Sequence, residues 1–205
     1  YGEDLVRVSG TATGTMSAKI VYAGNGWMIK SKGLNPYANL DVKGKIIAVY
    51  GEGPINGRML VPLPTGVTMA DIPMSGRGTE WADAVTYARA NGAAGVMVLA
   101  SKFLSDNWGA ITANFGRSRM VPEKLAPAGA APGAELPTIF IASPSLSKAI
   151  FAGESADPFS GAANPFEVSK EISVSIETKP ETAWTQNVVA IWEGSDPVLK
   201  DEMVA

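Results

Sequence analysis

The stretch "TEWADAVTYARANGAAGVMVLAS", Thr79 to Ser101, holds a helix and a strand back to back. Thr79 is placed to cap a helix, with Glu80 and Asp83 near its positive end and Gly92 after Asn91 as its stop. Trp81, Ala84, Val85 and Ala88 recur at helical spacing, which predicts a helix over 80–91 with Trp81 on the buried face. Ala84 and Ala88 are small enough to let that helix lie close on a sheet. Val96, Met97, Val98 and Leu99 follow directly and predict a strand over 95–100.

Upstream, the turn Asp41-Val42-Lys43-Gly44-Lys45 launches Ile46 to Tyr50, a run apolar on both faces. Such a run suits a strand covered on both sides. Strand 46–50, helix 80–91 and strand 95–100 therefore predict a parallel crossover unit with a long first connection. Residues 51–78 in that connection are rich in Gly and Pro, carry Met59, Met69 and Met74, and show no period. They are expected to run as a long excursion over the surface.

Further out, Leu5 to Val8 and Lys19 to Ala23 read as strands joined by a Gly/Thr/Ser stretch. Residues 101–136 read as loop, ending in the Ala/Pro/Gly-rich segment from Ala126 to Ala134, which is expected to be exposed or mobile. Pro137 to Ala142 is a strand. Ser143-Pro144 starts a short helix with Leu146, Ala149 and Ile150 on its apolar side, before Gly153. In "EISVSIET", Ile172, Val174 and Ile176 alternate with Ser173, Ser175 and Glu177, the mark of a half-exposed, antiparallel strand. The expected architecture is α/β or α+β, with a mixed, curved sheet or sandwich and a few flanking helices. No internal repeat is present.

The composition excludes much chemistry. The 205 residues include no Cys and no His. Disulfides, thiolate or imidazole metal sites, Cys nucleophiles and Ser-His-Asp triads are therefore out of reach. A net charge of −3 argues against a nucleic-acid footprint or a basic membrane patch. No apolar run approaches the ~20 residues of a membrane span. The opening Tyr1-Gly2-Glu3-Asp4 has no signal-peptide character.

Three local patterns invite a chemical reading. Ser145-Leu146-Ser147-Lys148 matches the S-x-x-K of serine acyl-enzymes, but its companion motifs are missing and Ser143-Pro144 explains it as a helix start. Ser75-Gly76-Arg77-Gly78 before Thr79 could cradle an anion, yet no complete phosphate-binding glycine motif is present, and a flexible turn explains it better. Trp27 and Trp108 sit among Gly and Asn in loops, where satellite core clusters are the commoner outcome than ligand contact. No calcium-loop pattern occurs, and the acidic residues are scattered. The residues assign no catalytic, cofactor-binding or metal-ligating position.

Taken in order, "KIVYAGNGW", "LDVKGKIIAVY", "EWADAVTYARANGAAGVMVLAS" and "ELPTIFIASPSLSKAIF" resemble a protease-associated (PA) domain. The matching residues are Asp41, Lys43, Gly44 and Lys45, then Gly92, Ala93 and Gly95, then Pro137 and Ile141, within roughly Lys19 to Gly153. The closing "TQNVVAIWEGSDPVLKDEMVA" is similar to the opening of the catalytic domain in two-zinc aminopeptidases and glutamate carboxypeptidases that carry PA domains, through Asn187, Val188 and the turn Glu193-Gly194-Ser195-Asp196-Pro197.

The resemblance implies a lead-in over 1–18, a PA-like accessory domain over 19–180, and the first strand and turn of a peptidase domain over 181–205. It implies a chain that is not itself an enzyme and holds no cofactor, with zinc in a catalytic domain beyond Ala205 whose first His lies just downstream. The implied partners are that catalytic domain in cis and a peptide or protein substrate, with no nucleic acid and no membrane span. The implied location is secreted or in a bacterial envelope. Such a domain acts as a lid, substrate-access or protein-interaction module, with loops 51–78 and 101–136 as its candidate contact segments. The alternatives are a PA insert of a subtilisin-type protease, a free-standing peptide-binding or sorting module, and, last, a carboxylate-based hydrolase.

Overall fold

The computed structural model describes residues 3–8, 14–53, 59–115, 138–160, 163–177 and 183–184. The expectations for Ala126 to Ala134, and nearly all of those for 181–205, lie outside these residues.

Six strands form one mixed, curled sheet in the order β1-β7-β6-β4-β2-β8. These are β1 (Leu5–Arg7), β2 (Gly14–Tyr22), β4 (Ile46–Val49), β6 (Gly95–Val98), β7 (Thr138–Ala142) and β8 (Phe166–Ile176). β2, β4, β6 and β7 run parallel, and β1 and β8 close the two edges antiparallel. A second, two-stranded sheet joins β3 (Met28–Ile29) to β5 (Trp81–Ala82). Both the lead-in residues Leu5–Arg7 and the strand from Gly14 onward belong to the main sheet.

The central strands are buried on both faces, and their alternation makes two cores. Val21, Ile47, Val49, Val96, Val98, Ile139 and Ile141 point to one side, under α1 (Ala84–Asn91), α2 (Lys102–Asp106) and α3 (Trp108–Phe115). Ile20, Tyr22, Ile46, Ala48, Met97, Leu99 and Phe140 point to the other, under α4 (Pro144–Phe151). Each such Val or Ile contributes about 1.5–3 kcal/mol by leaving water. The crossover β4–α1–β6 has the parallel sense and long first connection that the sequence predicts.

Three expectations for the helix over 80–91 are corrected. The helix begins at Ala84, not Glu80, and its cap is Asp83, whose carboxylate accepts the Thr86 N–H at 2.7 Å. Trp81 is drawn out of the helical turn by its own partners: it pairs with Ile29 in the small sheet, and its indole N–H reaches the Pro73 carbonyl at 2.7 Å. The ring is buried, but against Trp27, Ile29 and Ile72 rather than on β4 and β6. Gly92 ends the helix as expected, in the left-handed region at φ 67°, with its N–H on the Ala88 carbonyl.

Residues 102–115, expected as loop, are two short helices. Ser101 caps the first by accepting the Leu104 N–H, and Leu104 and Ile111 are buried on the sheet, with Trp108 and Phe115 packed beside them. In α4 the inward side carries Ser147, Ile150 and Phe151, with Leu146 half-buried and Ala149 exposed. The strand β8 alternates as predicted and pairs antiparallel with β2.

Candidate functional site

The excursion between β4 and α1 carries ordered structure of its own outside the main sheet. Two indoles anchor it. Trp27 donates to the carbonyls of Val61 at 3.3 Å and Pro62 at 3.1 Å, and Trp81 donates to Pro73, so the two rings, 6.0 Å apart, hold both ends of the excursion. With Ile29 and Ile72 they form a third buried cluster, roofed by Leu34, Met59, Leu63 and Val67. The reading of Trp27 as part of a satellite cluster under loops holds. Trp108 instead opens a helix and packs on the first core.

The approach of this module to the sheet needs a glycine. Gly26 sits at φ 75°, and a Cβ there would stand 2.6 Å from Val49 Cγ1. Beside it the Tyr37 hydroxyl donates to the Gly26 carbonyl at 2.7 Å, while the Tyr37 ring stacks on Tyr87 of α1.

Two single turns of 3-10 helix, Met69–Asp71 and Met74–Gly76, form the outer surface of the module. The first is locked by a capping box: Asp71 accepts the Thr68 N–H at 2.8 Å, and Lys32 reaches its other oxygen at 3.2 Å. The Thr68 N–H, helped by Lys32, holds the Asp71 carboxyl below the usual carboxylate range. Met69 and Met74 are left outward, at 64% and 80% exposure. Two adaptable thioethers thus stand exposed on an ordered backbone.

The residues around Ser75 to Gly78 are committed elsewhere. Arg77 lies 5.7 Å over the Trp81 ring and donates to Asp83 and Thr86, each at 3.1 Å, so it braces the module against α1. With Arg89 and Ala90 it lines an open depression of about 480 Å³. In place of a free anion cradle the segment is a brace.

No hydrogen bond joins Ser145 to Lys148, and both are exposed. The buried serine of that segment is Ser147, whose hydroxyl accepts the Ala100 N–H at 3.0 Å and donates to the Ala142 carbonyl at 3.4 Å. It ties the ends of β6 and β7 to α4, a structural task that the motif did not signal.

At the carboxyl ends of β2 and β4, the Tyr50 hydroxyl donates to Glu52, which also accepts the Lys102 N–H. Burial, then Glu52, pushes the Tyr50 phenol well above its ordinary value, and burial, then Asp157, pushes Tyr22 up to about 12. Both phenols keep their protons near neutrality and cannot serve there as bases. Among the described residues no group of three or more acidic side chains is placed to hold a metal ion. No helix among them is long and apolar enough to cross a membrane.

No protein-family model matches this chain, and no curated protein matches it. The chemistry of its surface has to be read from the geometry.

Proposed function

We propose that this chain is a non-catalytic accessory domain of the PA type, serving a secreted or envelope zinc aminopeptidase as a lid that shapes the approach to its active site. What supports this most is the tryptophan-anchored module over 59–82, which presents Met69 and Met74 on a braced backbone while Asp71, Lys32, Arg77 and Asp83 are paired in holding it. That is the chemistry of contact and exclusion, without a nucleophile or metal ligand of its own. The closing stretch from Asn187 to Pro197 supports the same reading through its resemblance to the opening of a peptidase domain.

The test compares this chain with the longer protein containing the sequence beyond Ala205. The longer protein should bind zinc and release N-terminal amino acids in a chelator-sensitive way; residues 1–205 alone should do neither. In the longer protein, Met69→Asp with Met74→Asp should lower kcat/KM for long peptides about tenfold, the equivalent of about 1.4 kcal/mol, and leave a small aminoacyl amide unchanged. Tight zinc binding or hydrolysis by residues 1–205 would refute the proposal, as would equal loss on both substrates.

A further inference from the structure

β8 is the long edge of the main sheet: eleven residues, against three for β1 at the opposite edge. In antiparallel pairing a strand turns alternate N–H and C=O groups toward its neighbour and the others away. The start of β8 is closed off on its outer side. Glu154 accepts the Ser169 N–H at 3.2 Å, and the Lys170 ammonium donates to the carbonyls of Ile150 and Ala152. From Glu171 to Glu177, no described residue pairs with the outward backbone.

The side chains of this open half alternate cleanly. Glu171, Ser173, Ser175 and Glu177, the residue just past the end of β8, are exposed, Ile172 is half-buried, and Val174 and Ile176 are buried toward the second core. Neither Glu171 nor Glu177 makes an ion pair with a described residue. Lys19 faces Glu171 across the strand pair, but its ammonium turns to Glu167 at 3.8 Å. The open edge thus ends in a carboxylate at each side, about 20 Å apart at ~3.3 Å per residue.

We propose that Glu171–Glu177 binds an extended peptide by strand addition, the occupant being a seven-residue alternating segment with a basic residue at each end. Main-chain hydrogen bonds to the open edge supply affinity, as in other strand-addition sites. Specificity comes from cross-strand pairs: Lys or Arg opposite the two carboxylates, Thr opposite Ser173 and Ser175, and β-branched residues opposite Ile172, Val174 and Ile176. This surface is separate from the 59–82 module, and the proposal stands whether or not a peptidase domain follows the chain.

The probe is the peptide Lys-Val-Thr-Val-Thr-Val-Lys with blocked termini, added to the whole chain and followed by amide hydrogen exchange. Outward amides within 171–177 should slow at least about tenfold at saturation. Glu171→Lys with Glu177→Lys should weaken binding by about tenfold or more, and a Glu-ended version of the peptide should bind that variant. A peptide N-methylated at the alternate residues whose N–H groups face the edge should not bind, whereas methylation in the opposite phase, which faces away, should leave binding intact. Absence of protection, protection confined to another surface, or indifference to the charge swap would overturn the proposal. Protection already complete without peptide would also overturn it, showing that a second copy or another segment of the chain takes this edge.

Discussion

Single atoms decide more here than whole motifs. Ser147 and Ser145 are two residues apart in one S-x-x-K match, yet only Ser147 is buried, between the Ala100 N–H and the Ala142 carbonyl. Ser147→Ala strands that N–H and should cost about 1–3 kcal/mol in urea unfolding, whereas Ser145→Ala should fall within about 0.5 kcal/mol of zero. Equal effects would show that the tie between α4 and the strand ends carries no weight. Gly26→Ala combines a left-handed backbone with a clash on Val49, so about 2–5 kcal/mol should be lost, read from the same unfolding curves. Neither residue was legible beforehand. Sequence spacing registers which side chains share a face, but not that a neighbouring strand end needs a hydroxyl or that a valine stands above a glycine.

At the scale of elements, the apolar runs at 46–49, 96–100 and 139–142 were legible because burial on both faces leaves no polar position to confuse the pattern. The helix over 80–91 was legible in kind and misplaced at its start. Thr79 and Asp83 both suit a cap, and Trp81 fits a helical face; the choice was made by Ile29, Trp27 and Pro73, which are distant in sequence. The α2–α3 pair was missed although Trp108, Ile111 and Phe115 keep helical spacing, because short helices with little polar contrast look like loop.

Trp81→Ala therefore tests the module rather than the crossover. Hydrogen exchange across 59–82 should rise strongly while amides of β4 and β6 stay protected; a uniform rise would return Trp81 to the main core. The junction of α4 and β8 has a pH signature. Ser169 first, and Lys170 after it, hold the Glu154 carboxyl below its ordinary value. Its contribution is present above the unfolded carboxylate range, about 4.3, and is lost as pH falls through the lower folded value. Glu154→Gln should flatten the stability profile below about pH 4.5 relative to the parent, as followed by urea midpoints.

For the molecule as a whole, the tyrosines set the alkaline limit. Of five, Tyr22, Tyr37, Tyr50 and Tyr87 all have raised values, with burial the first cause in each. A phenol raised in the folded state adds stability that is complete below about pH 10 and disappears as pH climbs toward the folded value. Tyrosinate absorbance should therefore lag behind that of free tyrosine and then rise together with loss of circular dichroism between about pH 10 and 12. An early, non-cooperative rise would mean that the phenols are open to solvent. The candidate contact surface was the least legible feature at this scale: Met69 and Met74 stood in a stretch without period, and their exposure depends on two tryptophans folding the excursion beneath them.

The strand order also has a consequence for how the polypeptide is made. β2, β4, β6 and β7 are laid side by side in the order in which a ribosome delivers them, so the middle of the sheet can assemble while synthesis continues. β8 joins only after all four of these: Thr15 and Ser175, whose hydroxyls meet at 2.9 Å, are 160 residues apart in the chain. At ~5–20 residues per second, β2 waits for many seconds with one side uncovered. The nascent chain is most vulnerable to mispairing in that interval, and a chaperone that holds extended, apolar segments would have its natural binding site on the outer side of β2.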